Sequence, residues 1–271
     1  MPVVQVLGTA PAGKGSRVAE LLRAFARLAV AHPDFQLTSA TEFVADGRRQ
    51  SLVRIVLRGP TGGGDRVRLG LFAAVHGDEP AGAWALVDLA AAVLAQPERA
   101  TGFELVLYPC CNPGGFERGP RENAAGLDLN REFWRGSAEP EVRWLERELA
   151  AQHFDGLIAL HADDTSDGLY GFARGQTLAD ELLRPALSTG ATVLPPNRDA
   201  VIDGFRAADG VIYDCYPGVL TAPPDQYPRP FEIIFETPAL APLTAQRTAA
   251  VAALGSILEN YRRVLGEAAA I

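Results

Sequence analysis

An apolar run from Leu69 to Val75 breaks on His76-Gly77-Asp78-Glu79-Pro80 and is followed by Trp84, Leu86, Val87, Leu89 and Leu94, and this stretch constrains the fold more than any other. The run reads as a buried strand, and the spacing after Pro80 is helical. His76 and Glu79 therefore stand in a strand-to-helix turn. Proline suits the first helical position because its missing N–H has no partner there, so Asp78 or Glu79 is expected to cap the helix while its neighbour points elsewhere. A His and a Glu at this separation can share one metal ion. The plainer alternative is a capping acid beside a hydrogen-bonded His.

With 271 residues, 48% hydrophobic and 21% charged, the chain is long enough to bury a substantial core, and we read residues 1–271 as a single domain. A net charge of −8 and a pI near 5.1 argue against nucleic acid or an anionic membrane as partner, since phosphate binding is driven by Lys and Arg. A small molecule or peptide is the expected substrate. Met1-Pro2-Val3-Val4-Gln5 lacks the basic start, long apolar stretch and small-residue cleavage site of a secretory signal, and no apolar run approaches bilayer length, which predicts a cytoplasmic protein. Cys110, Cys111 and Cys215 make neither a disulfide set nor a thiolate metal site and are expected to be buried and inert.

Along the chain, Val3–Leu7 is a short apolar run, and a Gly-rich stretch from Gly8 to Ser16 leads into a helix over Arg17–Ala31. The stretch falls one residue short of a phosphate-binding loop: Gly15 stands where a Ser or Thr hydroxyl is needed after Lys14, and Pro11 removes a backbone donor. Strands are expected over 35–43, 52–57 and 66–75, joined by Gly-rich turns that suggest an antiparallel start to the sheet. Further strands are expected at Phe103–Tyr108, Gly156–Leu160 and Phe231–Phe235, and helices at Glu139–Gln152, Thr177–Leu187 and Ala245–Val264. The alternation predicts an α/β fold, a mixed parallel and antiparallel sheet with helices on both faces. Ala208–Pro230 is the longest irregular stretch and has the look of a lid or binding loop.

His76, His161 and Glu236 each follow an apolar strand, and ligands of open α/β sheets bind beyond the carboxyl ends of strands. Two histidines and a Glu form the protein ligand set of a catalytic zinc site that leaves its fourth position to water. His76, Glu79 and His161 fit that set, with Glu236 left as a base near the water. His161 as an ordinary strand-end histidine, and Glu236 as a capping or salt-bridged acid, are the alternatives. His32 and His153 show no such setting and read as structural. Between these residues, 112–133 holds three Arg and three Asn in a Gly-rich loop, suited to gripping a carboxylate or else simply solvated.

Together these pieces resemble the zinc metallocarboxypeptidase-type hydrolases, the superfamily that also contains succinylglutamate desuccinylase and aspartoacylase. The matching pieces are His76-Gly77-Asp78-Glu79, Asn112-Pro113 with Gly115-Phe116, the run from Arg121 and Asn123 through Gly126 to Asp128-Leu129-Asn130-Arg131, the Leu160-His161 strand end, and Phe235-Glu236-Thr237. The resemblance implies one zinc per chain bound by His76, Glu79 and His161, with Glu236 as general base and acid. It further implies that Arg121 stabilises the oxyanion, that Asn130 and Arg131 hold the substrate carboxylate, and that Asp128 orients the His76 ring. Tyr216 fits the substrate-covering tyrosine best by its distance before Glu236, with Tyr213 second. The second His departs from the family pattern, being followed by Ala162-Asp163-Asp164-Thr165-Ser166-Asp167. Asp163, Asp164 and Asp167 either line the pocket and favour cationic substrates or form a solvated turn with side-chain caps.

The expected activity is zinc-dependent hydrolysis of an amide bond next to a free carboxylate in a small peptide, the alternative being deacylation of N-acyl amino acids. A nucleotide-binding protein built on Gly8–Gly15 and a catalytically silent ligand-binding relative are the rivals from other classes.

Overall fold

The structure, a computed structural model, describes residues 15–32, 35–45 and 47–269. The Val3–Leu7 run and nearly all of the Gly8–Ser16 stretch lie outside them. Ser16 is described, and it caps α1 (Arg17–Ala31), its hydroxyl accepting the Ala19 N–H at 3.1 Å. The helix occupies the residues its periodicity predicts.

The strands are β1 (Phe35–Ala45), β2 (Arg48–Arg58), β3 (Val67–Ala73), β4 (Phe103–Tyr108), β5 (Gly156–Asp163), β6 (Tyr170–Ala173), β7 (Val201–Ile202), β8 (Phe205–Ala208), β9 (Val211–Ile212) and β10 (Phe231–Pro238). They lie in the order β1-β2-β4-β3-β5-β10-β6-β9-β8-β7. The centre, β4-β3-β5-β10, is parallel, and antiparallel pairs flank it as β1-β2-β4 on one side and β10-β6 on the other. The expected mixed sheet is thus observed, with one correction. The Gly59–Asp65 turn does not fold β2 back onto β3, because β4 inserts between them.

That insertion aligns three charges. Arg58, Glu104 and Arg68 stand side by side across β2, β4 and β3, and the Glu104 carboxylate receives Arg58 Nε at 2.6 Å and Arg68 Nε at 2.7 Å. Burial opposes the charged form of Glu104, but the two guanidiniums hold its pKa below the usual value.

The remaining helices are α2 (Pro80–Ala95), α3 (Pro113–Arg118), α4 (Pro140–Gln152), α5 (Gln176–Leu178), which runs through a wider turn into α6 (Arg184–Gly190), and α7 (Leu243–Ala269). Side chains alternate across the sheet and so feed two cores. Leu105 and Leu107 join the core under α1, α2 and α7, whereas Val106 and Tyr108 join Val142, Leu145 and Leu149 of α4 on the opposite face. Both faces are covered, as expected. No helix of the described residues is long and apolar enough to cross a membrane. Cys110 and Cys111 are buried, and burial pushes both thiol pKa values up, that of Cys111 to about 12. Cys215, expected to be buried, is only partly so.

Candidate active site

The strand that carries His76 ends earlier than its hydrophobicity suggests. β3 stops at Ala73, Ala74 takes a left-handed φ of 49°, and the chain turns so that His76 and Glu79 face the same space. The turn is clamped by its neighbours: the Gly77 N–H donates to the Arg121 carbonyl at 3.1 Å, and a Cβ on Gly77 would lie 2.1 Å from the Gly115 carbonyl carbon. Only glycine fits there. Glu79 occupies the N-cap position of α2 without capping it. Its carboxylate turns instead to the histidines, with Oε1 2.6 Å from His76 Nδ1 and Oε2 2.8 Å from His161 Nδ1. The expected side-chain cap is therefore absent for a local reason: two imidazoles compete for the carboxylate.

His161 and Glu236 lie within their strands and not past their ends. β5 continues to Asp163 and β10 to Pro238, and the parallel register pairs Glu236 directly with His161. On the other side of β10, Tyr170 of β6 is the antiparallel partner of Glu236.

The two Nδ1 atoms stand 3.2 Å apart, and His76, Glu79 and His161 offer donor atoms all within 4.8 Å of one another. Donors of a tetrahedral zinc site with Zn–N of about 2.0–2.1 Å are roughly 3.3 Å apart, so the group suits that ion. His76 Nε2 is 3.0 Å from Asp128 Oδ1, which fixes the ring and leaves Nδ1 for the cluster. Burial lowers the His76 pKa, but the Glu79 and Asp128 carboxylates outweigh it and raise it to about 9. For Glu79 burial is likewise outweighed, by His161 and His76, and its pKa falls to about 2. Burial dominates at His161 and lowers its pKa. The carboxylates thus draw positive charge into the cluster, a demand that a divalent cation satisfies.

Arg121 donates to Asp128 Oδ2 from Nε at 3.2 Å and Nη2 at 3.1 Å and reaches Glu79 Oε1 from Nη1 at 3.5 Å. Asp128 stays well below the usual carboxylate range despite burial, held by His76 and the nearby guanidiniums. The Asn130 side-chain oxygen accepts the Leu220 N–H at 2.9 Å, so its amide N–H groups remain as donors. Arg131 lies over the Tyr216 ring at 4.4 Å, and the Tyr216 hydroxyl donates to the Asp203 carbonyl at 2.7 Å and to its Oδ1 at 3.0 Å. A Cβ on Gly218 would meet the Arg131 carbonyl oxygen at 2.3 Å, so the irregular 213–230 stretch presses directly on the Asn130-Arg131 turn. Tyr213 instead bonds Arg184 and does not line the pocket.

These residues line one cavity of about 190 Å³, which takes in every site residue expected from the sequence except Asp128, the partner behind His76. Glu236 is 9% exposed and has no hydrogen-bond or ion-pair partner among the described residues. Burial and the charges of Glu79, Asp163 and Asp203 raise its pKa well above the carboxylate range. Asp163 and Asp164 line the cavity and Asp167 does not. Asp163 also caps the turn, its Oδ1 accepting the Thr165 N–H at 2.8 Å, so this one residue both lines the cavity and caps its turn. Sequence reasoning missed Tyr170, whose hydroxyl donates to Asp163 Oδ2 at 2.9 Å, and Asp203. His153 and His32 are the C-caps of α4 and α1.

Residues 65–194, from Asp65 through all the expected metal ligands, match the model of the succinylglutamate desuccinylase/aspartoacylase catalytic domain. The superfamily resemblance is borne out. Its α/β fold is like that of metallocarboxypeptidases, and its residues 65–194 are similar to the catalytic domain of succinylglutamate desuccinylase and aspartoacylase. The fold is shared with a candidate metallopeptidase of Shewanella amazonensis, at 21% identity and TM-score 0.75 over 90% of this chain and 92% of that one. A metallo-carboxypeptidase of Burkholderia cenocepacia is similar at 17% identity and TM-score 0.69, over 92% of this chain and 69% of its own. A metallo-carboxypeptidase of Pseudomonas aeruginosa, solved with (2-guanidinoethylmercapto)succinic acid, is similar at 20% identity and TM-score 0.63, over 90% and 68%. None of the curated proteins matches the chain in sequence.

Proposed function

We propose that this protein is a zinc-dependent hydrolase that cleaves an amide bond next to a free carboxylate. The observation that carries the reading is the content of one cavity: a His-Glu-His cluster, a buried carboxyl without a partner, and an Asn-Arg pair with donors to spare. His76, Glu79 and His161 would hold a zinc ion, which would supply Lewis acidity to the scissile carbonyl and to the attacking water.

Every other step belongs to side chains. Asn130 and Arg131 fix the substrate carboxylate, the guanidinium by two parallel hydrogen bonds. Glu236 takes one proton from the attacking water as its oxygen bonds to the carbonyl carbon, and Arg121 offsets the charge gathering on the carbonyl oxygen. When the C–N bond breaks, Glu236 returns the proton to the leaving nitrogen, giving a carboxylic acid and an amine.

The family match over residues 65–194 favours a second reading, hydrolysis of N-acyl amino acids. Zinc-loaded protein assayed on C-terminal free-acid dipeptides, their amides and N-acyl amino acids separates the two. Cleavage of the free-acid dipeptides supports the peptidase reading, and cleavage confined to N-acyl amino acids replaces it with the deacylase.

A further inference from the structure

A second cavity, also of about 190 Å³, opens where the end of β1 meets the 112–133 loop and the start of α4, and it is lined by Ala45, 123–125 and 139–141. It shares no residue with the catalytic cavity. Its polar side chains are Asn123, Glu139 and Glu141, and among the described residues no Lys or Arg lines it. Asn123, 3% exposed, is fully engaged: Oδ1 accepts the N–H groups of Ala125 and Leu127 at 3.0 Å, and Nδ2 donates to Glu139 Oε2 at 2.5 Å. The same side chain hydrogen-bonds the Glu141 carboxyl, so two acids converge on one amide.

Glu141 is 1% exposed, and its Oε2 has no hydrogen-bond partner. A buried acceptor left in that state is costly, and more so when charged. Burial and the neighbouring charge of Glu139 both raise the Glu141 pKa, and no cation acts on it. The α4 N-terminus supplies a partial charge of only about +0.5, too little to balance two carboxylates. Gln50 Oε1 is a further buried oxygen without a partner. A Cβ on Gly114 would lie 3.2 Å from it and 3.4 Å from the Ala124 Cβ, so this oxygen borders the same loop. Oxygens here outnumber donors.

We propose that this cavity is a second metal site, separate from the His-Glu-His cluster, in which Glu139 and Glu141 bind a calcium ion. The side chains on offer are oxygen donors with no His or Cys among them, which suits a hard cation and not zinc. Calcium tolerates irregular coordination completed by water, whereas magnesium demands a near-ideal octahedron. A cation between the acids offsets both their mutual repulsion and the burial of Glu141. Two carboxylates make a weak site, with a Kd of about 0.1–1 mM. Because its walls come from β1, the loop and α4, the site exists only in the folded chain, and calcium therefore stabilises the fold. The proposal is independent of the reaction assigned to the catalytic cavity.

The test is thermal unfolding of the full chain, loaded with zinc and freed of excess metal, in about 10 mM calcium chloride against the same concentration of magnesium chloride. Wild type should melt about 4 °C higher in calcium. Glu141→Gln and Glu139→Gln keep the size of each side chain, and in E139Q the side-chain oxygen still accepts from Asn123, so the loop contact survives. Each variant should bind calcium about tenfold more weakly and show a third or less of the wild-type rise. Equal melting of wild type in the two salts overturns the site. A full rise that persists in either variant overturns it too, and places the ion elsewhere. If E141Q does not fold, E139Q decides alone.

Discussion

Glu236 is the direct cross-strand partner of His161, at matching positions of parallel β10 and β5. Neighbours in register on adjacent strands point to the same face of a sheet, so strand pairing alone sets the candidate base beside a candidate metal ligand. The distance between them is therefore fixed by backbone hydrogen bonds and not by a loop.

The first prediction follows for Glu236→Gln, which keeps shape and removes proton acceptance. Zinc content measured by atomic emission should stay at one per chain while kcat falls by roughly a hundredfold to ten-thousandfold. Loss of zinc from the variant would place Glu236 among the ligands and overturn its role as base.

Metal binding itself is the second. Wild-type protein reconstituted with zinc should bind one equivalent, and His161→Ala, which removes one of three donors, should release it in equilibrium dialysis. A stoichiometry below about half an equivalent in wild type would mean that His76, Glu79 and His161 do not form the site.

The third contrasts two arginines. Arg131 has donors free for a ground-state carboxylate, so Arg131→Lys should raise KM for free-acid substrates and narrow the preference for acid over amide, with zinc retained. Arg121 stands against Glu79 and Asp128, nearer the reacting atoms, so Arg121→Ala should act mainly on kcat. Equal wild-type turnover of acid and amide would show that no carboxylate is recognised.

Glu104 gives a prediction about pH. Its folded pKa is lowered, so its stabilising contribution is present above the unfolded value of about 4.3 and is lost as pH falls through the folded value. Arg58 and Arg68 are partly exposed, so Glu104→Gln should cost only about 1 kcal/mol at pH 7 in urea unfolding, and that cost should fade on acidification below the unfolded pKa. An equal cost at pH 7 and pH 3 would assign the effect to packing.

Much of the fold was legible because its core strands are long apolar runs and its helices keep their period, as at Phe103–Tyr108 and Arg17–Ala31. Three of the site groups stood out because polar residues interrupt such runs. Where the strands stop was less legible: β5 and β10 go on pairing through Asp163 and Pro238, since the backbone ladder is indifferent to side chains that face a cavity. Tyr170 and Asp203 left no signal, because strands of two to four residues show no alternation and Asp203 reaches the cavity only through the fold, in the turn after β7. The cap on α2 was misjudged for an electrostatic reason, the pull of two imidazoles on Glu79.

His76 and Glu79 are three residues apart, but His161 is 85 residues beyond His76 and reaches it only because β5 docks against β3. Before that docking the chain offers an ion two donors on one turn, a grip too poor to retain it against water. Metal capture would then be a clock for assembly of the sheet: in refolding, zinc uptake should keep pace with closure of the β3–β5 seam and not with formation of α1 or α2.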